Sequence, residues 1–142
     1  MNKLRWAAVG MAIALAALIF SARPGTLYIK VADTPWTEVT VGSYHDKPVA
    51  FSSGSTPLLW PMQYGPYTIS VKFSDGRTVW LEYFHYDAGV RKRAEVTVER
   101  LPDGETVRIT QTYNKSEKDK VQGSIPISKT SHDKPFLLDG PA

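Results

Sequence analysis

The stretch Tyr67-Thr68-Ile69-Ser70-Val71-Lys72-Phe73-Ser74-Asp75-Gly76-Arg77-Thr78-Val79-Trp80-Leu81-Glu82-Tyr83 decides the fold class. Apolar residues occupy every second position on both sides of a Ser-Asp-Gly break, the pattern of two half-buried strands joined by a turn. A three-residue loop with Gly76 in the left-handed conformation pairs Val71 with Val79, Ile69 with Leu81 and Tyr67 with Tyr83. A two-residue Asp-Gly loop would instead set Ile69 against Glu82. Because a slip of one residue turns every side chain to the other face, the apolar register is the expected one.

The same pattern extends outward. Leu27, Ile29 and Val31 share one face of an earlier strand, and Val39 and Val41 share a face of the next, with Glu38 and Thr40 opposite. Ala94, Val96 and Val98 lead into Leu101-Pro102-Asp103-Gly104, and Val107, Ile109 and Tyr113 follow. A four-residue loop there pairs Val98 with Val107 and Val96 with Ile109, leaving Glu95, Thr97 and Glu99 beside Thr106, Arg108 and Thr110 on a solvated face. The expectation is an all-β domain over residues 26–113: a single antiparallel β-sandwich of about seven strands, preceded by one N-terminal hydrophobic helix.

Gly65-Pro66-Tyr67-Thr68-Ile69-Ser70-Val71 resembles the Gly-x-Tyr-x-apolar-x-Val strand of immunoglobulin-like and transthyretin-like (carboxypeptidase regulatory-like) bacterial modules. In the immunoglobulin-like group, a tyrosine near the start of such a strand fastens a corner by a hydrogen bond to nearby backbone, the role the resemblance implies for Tyr67. It also implies a binding or scaffolding module more readily than an enzyme.

Residues 1–25 form a separate segment. Trp6 to Phe20 carry no charge, Lys3 and Arg5 precede them, and Ser21-Ala22-Arg23-Pro24-Gly25 follow. Extended to Ala22, the run is about 26 Å long as a helix, just short of the roughly 30 Å hydrocarbon core. Cleavage after Ala22 would place bulky Phe20 where a small residue is favoured, so an uncleaved signal-anchor is the leading expectation and a removed signal peptide the alternative. The basic residues before the run put the N-terminus in the cytoplasm and the domain outside the cytoplasmic membrane, periplasmic or extracellular.

Composition narrows the function. Seventeen Lys and Arg stand against fourteen Asp and Glu, and Lys3, Arg5 and Arg23 supply the whole excess. The remainder is neutral, which argues against nucleic acid as a partner. With no cysteine, disulfide scaffolds, thiolate metal sites and cysteine nucleophiles are excluded. His85 and Asp87 would share one side of a strand, but the three histidines lack a zinc-protease spacing, so no metal or other cofactor is expected. Ser52, Ser53 and Ser55 lie in a polar loop without the Gly-x-Ser-x-Gly elbow. Arg91-Lys92-Arg93 reads as the solvated entry to a strand.

Three features remain. His-Asp-Lys-Pro occurs at residues 45–48 and again at 132–135, which reads as two proline-containing turns. Between Phe51 and Tyr67, prolines at 57, 61 and 66 rule out an inner strand, so a loop is expected. Its Leu58, Leu59, Trp60, Met62 and Tyr64 are the candidate partner-binding residues, with a lid over the core as the competing role. Residues 114–142 open with Asn114-Lys115-Ser116-Glu117-Lys118-Asp119-Lys120 and read as a polar, largely disordered tail. Within it, Ser124 to Ser128 and Phe136-Leu137-Leu138 are the pieces able to dock. Together these features point to a non-catalytic, membrane-tethered accessory or binding subunit of an envelope assembly, its partner another envelope protein. An inhibitor or immunity protein acting in the periplasm is the second class, and a small hydrolase or metalloenzyme around His85 and Asp87 the third.

Overall fold

The computed structural model describes residues 2–21, 25–43, 47–62, 65–85, 93–113 and 116–138. Helix α1 (Asn2–Ser21) precedes the strands β1 (Gly25–Ala32), β2 (Trp36–Ser43), β3 (Val49–Ser52), β4 (Leu58–Met62), β5 (Gly65–Phe73), β6 (Thr78–His85), β7 (Arg93–Arg100), β8 (Thr106–Tyr113), β9 (Ser116–Pro126) and β10 (Phe136–Leu138). They form two five-stranded sheets, ordered β4-β1-β7-β8-β9 and β10-β6-β5-β2-β3. The domain is mainly β, as expected, but it is not a single antiparallel sandwich of seven strands. Both sheets are mixed, because β1 lies parallel to β7 and β10 parallel to β6.

Alternation in the sequence becomes alternation in burial. Tyr67, Ile69, Val71 and Phe73 of β5 are buried, and so are Val79, Leu81 and Tyr83 of β6, with the polar residues between them turned outward. Leu27 and Ile29 of β1, Val39 and Val41 of β2, Val96 and Val98 of β7, and Val107 and Ile109 of β8 join them in one cluster fed by both sheets. Each such side chain contributes about 1.5–3 kcal/mol on leaving water, so the inner faces hold the sheets together.

The β5–β6 hairpin has the expected register, with Tyr67 opposite Tyr83, Ile69 opposite Leu81 and Val71 opposite Val79. The β7–β8 hairpin keeps the expected parity but slides: Val98 lies opposite Ile109, and Arg100 opposite Val107. The turn is the cause. Leu101 N–H donates to Thr106 O at 2.8 Å and so is still paired, which moves the loop to residues 102–105. Asp103 then accepts from the amides of Glu105 and Thr106, both at 2.9 Å, and from the Thr106 hydroxyl at 2.7 Å.

The expected disordered tail is corrected over residues 116–138. β9 pairs along β8 from Tyr113↔Ser116 to Thr106↔Pro126. After a 3-10 turn at Ile127–Lys129, β10 adds to β6. An edge strand needs a partner on one side only, so the polar sequence of β9 suffices, and Gly123 admits a neighbour: a Cβ there would lie 2.8 Å from Phe136 Cζ. Phe136 thereby joins the β9 edge of one sheet to the β10 edge of the other.

One polar group of the core went unforeseen. Gln111 of β8 is fully buried and donates through Nε2 to the Tyr113 hydroxyl, while its Oε1 has no hydrogen-bond partner among the described residues. Tyr83 is hydrogen-bonded to Tyr113, and its burial, with Tyr113 and Tyr67 close by, pushes its phenol far above the usual tyrosine range. The described side chains of α1, residues 3–18, are all exposed, and none belongs to the core. Among the described residues no helix is long and apolar enough to cross a membrane.

Candidate functional site

The outer face of β6, β5 and β2 carries a groove whose floor is a single cross-strand row. Gly42 lies opposite Thr68, and Thr68 opposite Glu82. Their neighbours Val41, Ile69 and Leu81 are buried, so period two directs this row outward. Gly42 has no side chain to fill the floor, and Pro48 closes over it: a Cβ on Gly42 would sit 3.7 Å from Pro48 Cγ, in ordinary contact.

The chain after β9 builds the opposite wall. Thr130 Oγ1 accepts from the Trp80 amide at 3.4 Å and donates to Ile127 O at 2.9 Å, holding the strap against β6. Ser131 and Lys134 exchange backbone hydrogen bonds at 3.2 and 3.1 Å, which closes a tight turn around His132 and Asp133. The His132 ring meets Trp80 edge-on, with centroids 5.2 Å apart. Between these walls the groove encloses about 410 Å³, lined by Gly42, Ser43, Pro48, Pro66, Thr68, Glu82, His132, Asp133 and Pro135.

The prolines of the two tetrapeptide copies come together in space. Pro48 ends the first copy and Pro135 the second, and both line the same groove. The second copy lies in a turn, as expected; His45 and Asp46 of the first lie outside the described residues. Among the described lining residues the acidic groups are Glu82 and Asp133. The partly buried Glu82 side chain has no ion-pair or hydrogen-bond partner among the described residues, and Asp133 Oδ1 lies 3.7 Å from Nδ1 of the exposed His132.

Comparison with protein-family models, curated proteins and solved structures gave no match.

The candidate partner-binding segment is an edge strand rather than a loop. β4 pairs antiparallel to β1 through Gly25↔Met62, Leu27↔Leu59 and Tyr28↔Leu58. The sequence Trp60-Pro61 stands against the single residue Thr26, a bulge that accommodates the missing donor of Pro61. Pro57 lies just before the strand and uses its carbonyl, which accepts from Ile29 N at 2.9 Å. Pro66 lies beyond the reach of β2, whose pairing ends at Ser43↔Tyr67. The structure divides the five residues: Leu58 is 47% exposed, Leu59 packs partly against the core, and Met62 is buried, so Met62 is corrected from interface to core. The Trp60 side chain and the whole of Tyr64 lie outside the described residues.

The remaining candidates do not assemble. His85 ends β6 and Asp87 lies outside the described residues. Among the described residues no group of three or more His, Cys, Asp or Glu is placed to hold a metal ion. The serines form the turn after β3, where Ser55 N–H and Oγ both bond Ser52 O, at 3.1 and 2.6 Å. Of the basic triplet, Arg93 opens β7 and lies over the Tyr28 ring at 5.9 Å, while Arg91 and Lys92 lie outside the described residues.

Proposed function

We propose that the protein is a non-catalytic, membrane-tethered accessory or binding subunit of an envelope assembly, its β domain on the outer side of the cytoplasmic membrane. The observation that carries this reading is the exposure of α1. Leu4, Trp6, Met11, Ile13, Leu15 and Leu18 are between 62% and 83% exposed. An apolar surface of that extent on one element marks a contact with lipid or with another protein. At 20 residues the helix runs about 30 Å, but Lys3, Arg5 and Ser21 take its ends, so the uncharged run Trp6–Phe20 falls short of a hydrocarbon core and the tether rests on exposure rather than on length. Lys3 and Arg5 at its start favour an N-terminus on the cytoplasmic side.

On this reading the domain meets another envelope protein, and the exposed part of the β4 edge around Leu58 is a place for that contact. The bulge at Trp60-Pro61 in β4 disfavours open-ended strand addition, which suits a side-chain interface. The tether is tested by fractionation. The full-length chain should stay with membranes through a high-pH carbonate wash, and protease added outside the cytoplasmic membrane should digest the domain. Release of a soluble fragment beginning near Arg23 would defeat the tether and leave a secreted protein.

A further inference from the structure

We propose that the groove on the outer face of β6, β5 and β2 binds a basic side chain, the guanidinium of an arginine or the ammonium of a lysine, presented by the partner protein. The floor holds a partly buried carboxylate, Glu82, without an ion-pair partner among the described residues, and Asp133 adds a second negative charge at the rim. No Lys or Arg is among the described residues lining it; Lys47 and Lys134 are exposed beside it.

An anionic ligand would face repulsion from Glu82 on the floor, and a neutral one would cover the carboxylate without replacing its water. A cation compensates it. The volume of about 410 Å³ exceeds what a bare ion needs and falls within the range of organic-ligand pockets. The walls fit the rest of such a side chain: Pro48, Pro66 and Pro135 present apolar rings to an aliphatic stem, and the Thr68 hydroxyl on the floor can accept from the cationic head. Two chain segments far apart in sequence bring Pro48 and Pro135 to these walls, and a lone surface turn would need no such convergence.

This inference deepens the binding-subunit reading by naming what one face recognises. Its test reads occupancy of the groove directly, so its failure is distinct from failure of the membrane tether. The full-length chain in non-ionic detergent is titrated with argininamide at low ionic strength, and amide and indole NMR signals are followed. Saturable shifts confined to Thr68, Glu82, His132 and the Trp80 indole are expected. Affinity should fall about fivefold in Glu82→Gln, the size of a favourable exposed ion pair, fall less in Asp133→Asn, and weaken with added salt. Absence of shifts, an unchanged affinity in Glu82→Gln, or shifts with N-acetylglucosamine but not with argininamide would each overturn the proposal.

Discussion

The hairpins β5–β6 and β7–β8 belong to opposite sheets and supply much of the same core, yet different agents set their registers. In β5–β6 the loop is Ser74-Asp75-Gly76: Phe73 N–H donates to Arg77 O at 2.8 Å, and Gly76 takes φ 89°, which an L side chain rarely adopts. In β7–β8 the Asp103 carboxylate gathers the donors of the following residues and displaces the loop. Burial pattern thus fixes which face points inward, and turn chemistry fixes which residues stand opposite. The two turns then meet. Arg100 Nη2 pairs with Asp75 Oδ2 at 2.7 Å, Arg100 Nε and Arg77 Nη1 both donate to Gly104 O, and Arg77 reaches Glu105 at 2.8 Å.

If inward parity is what the hairpins share, removing an inward side chain from either should do comparable damage. Leu81→Ala in the first and Ile109→Ala in the second should each cost about 2–5 kcal/mol in urea unfolding, since both positions are fully buried. A change at one site below about 1 kcal/mol would show that the core is not shared equally.

Ionisation separates the inner network from the turns. Tyr83 keeps its proton in the folded chain to well above the usual tyrosine range, whereas an unfolded tyrosine ionises near pH 10. Above about pH 10 the unfolded state therefore binds fewer protons, and stability should fall by at most about 1.4 kcal/mol per pH unit for this group. Tyr83→Phe should flatten that alkaline decline, read as Tm against pH. The turns act at the acid end. Arg100 and the Arg77 amide lower the Asp75 carboxyl, and hydrogen bonds from Thr106 and Glu105 lower that of Asp103. Their contribution is present above the unfolded carboxylate range near pH 4 and lost as the pH falls through the lowered values. Asp103→Ala should lower Tm at neutral pH and reduce its acid dependence.

The glycine turn offers a sharper contrast of register. At φ 89° a Cβ on Gly76 meets no atom within 4 Å, so the cost of Gly76→Ala is conformational rather than steric against neighbours. It should amount to about 1–2 kcal/mol in urea unfolding. A neutral result would mean that the apolar pairs alone hold the β5–β6 register.

What could be read beforehand follows the same division. Tyr67 through Tyr83 carried both parity and turn, so its register was legible; the Leu101 to Thr106 region carried parity, but the side-chain bonds of Asp103 placed its turn. The parallel pairing of Ile29 beside Val96 was not legible, because nothing local links partners so distant in sequence. β9 was hidden because an edge strand tolerates Lys, Glu and Asp, and β4 because prolines masked a bulged edge. The groove depends on four separate segments, and its one trace in the sequence was the doubled His-Asp-Lys-Pro. Among the five segment residues, alternation around a bulge could not be anticipated, so Met62 was not recognisable as core.

The smallest effect bears on the outer faces. On β7–β8, Glu99 pairs with Arg108 at 3.2 Å, with side chains 39% and 41% exposed. On β5–β6 the corresponding outward carboxylate, Glu82, has no ion-pair partner among the described residues and lines the groove. An exposed pair offsets little more than the entropy of holding two long side chains, so Glu99→Gln should change stability by less than about 0.5 kcal/mol. Glu82→Gln, which removes no partner, should be equally quiet or slightly stabilising in the same unfolding assay. If Glu82→Gln instead destabilised the chain by more than Glu99→Gln, the carboxylate would be serving the fold without any ligand, and the two outer faces would differ in structure rather than in recognition.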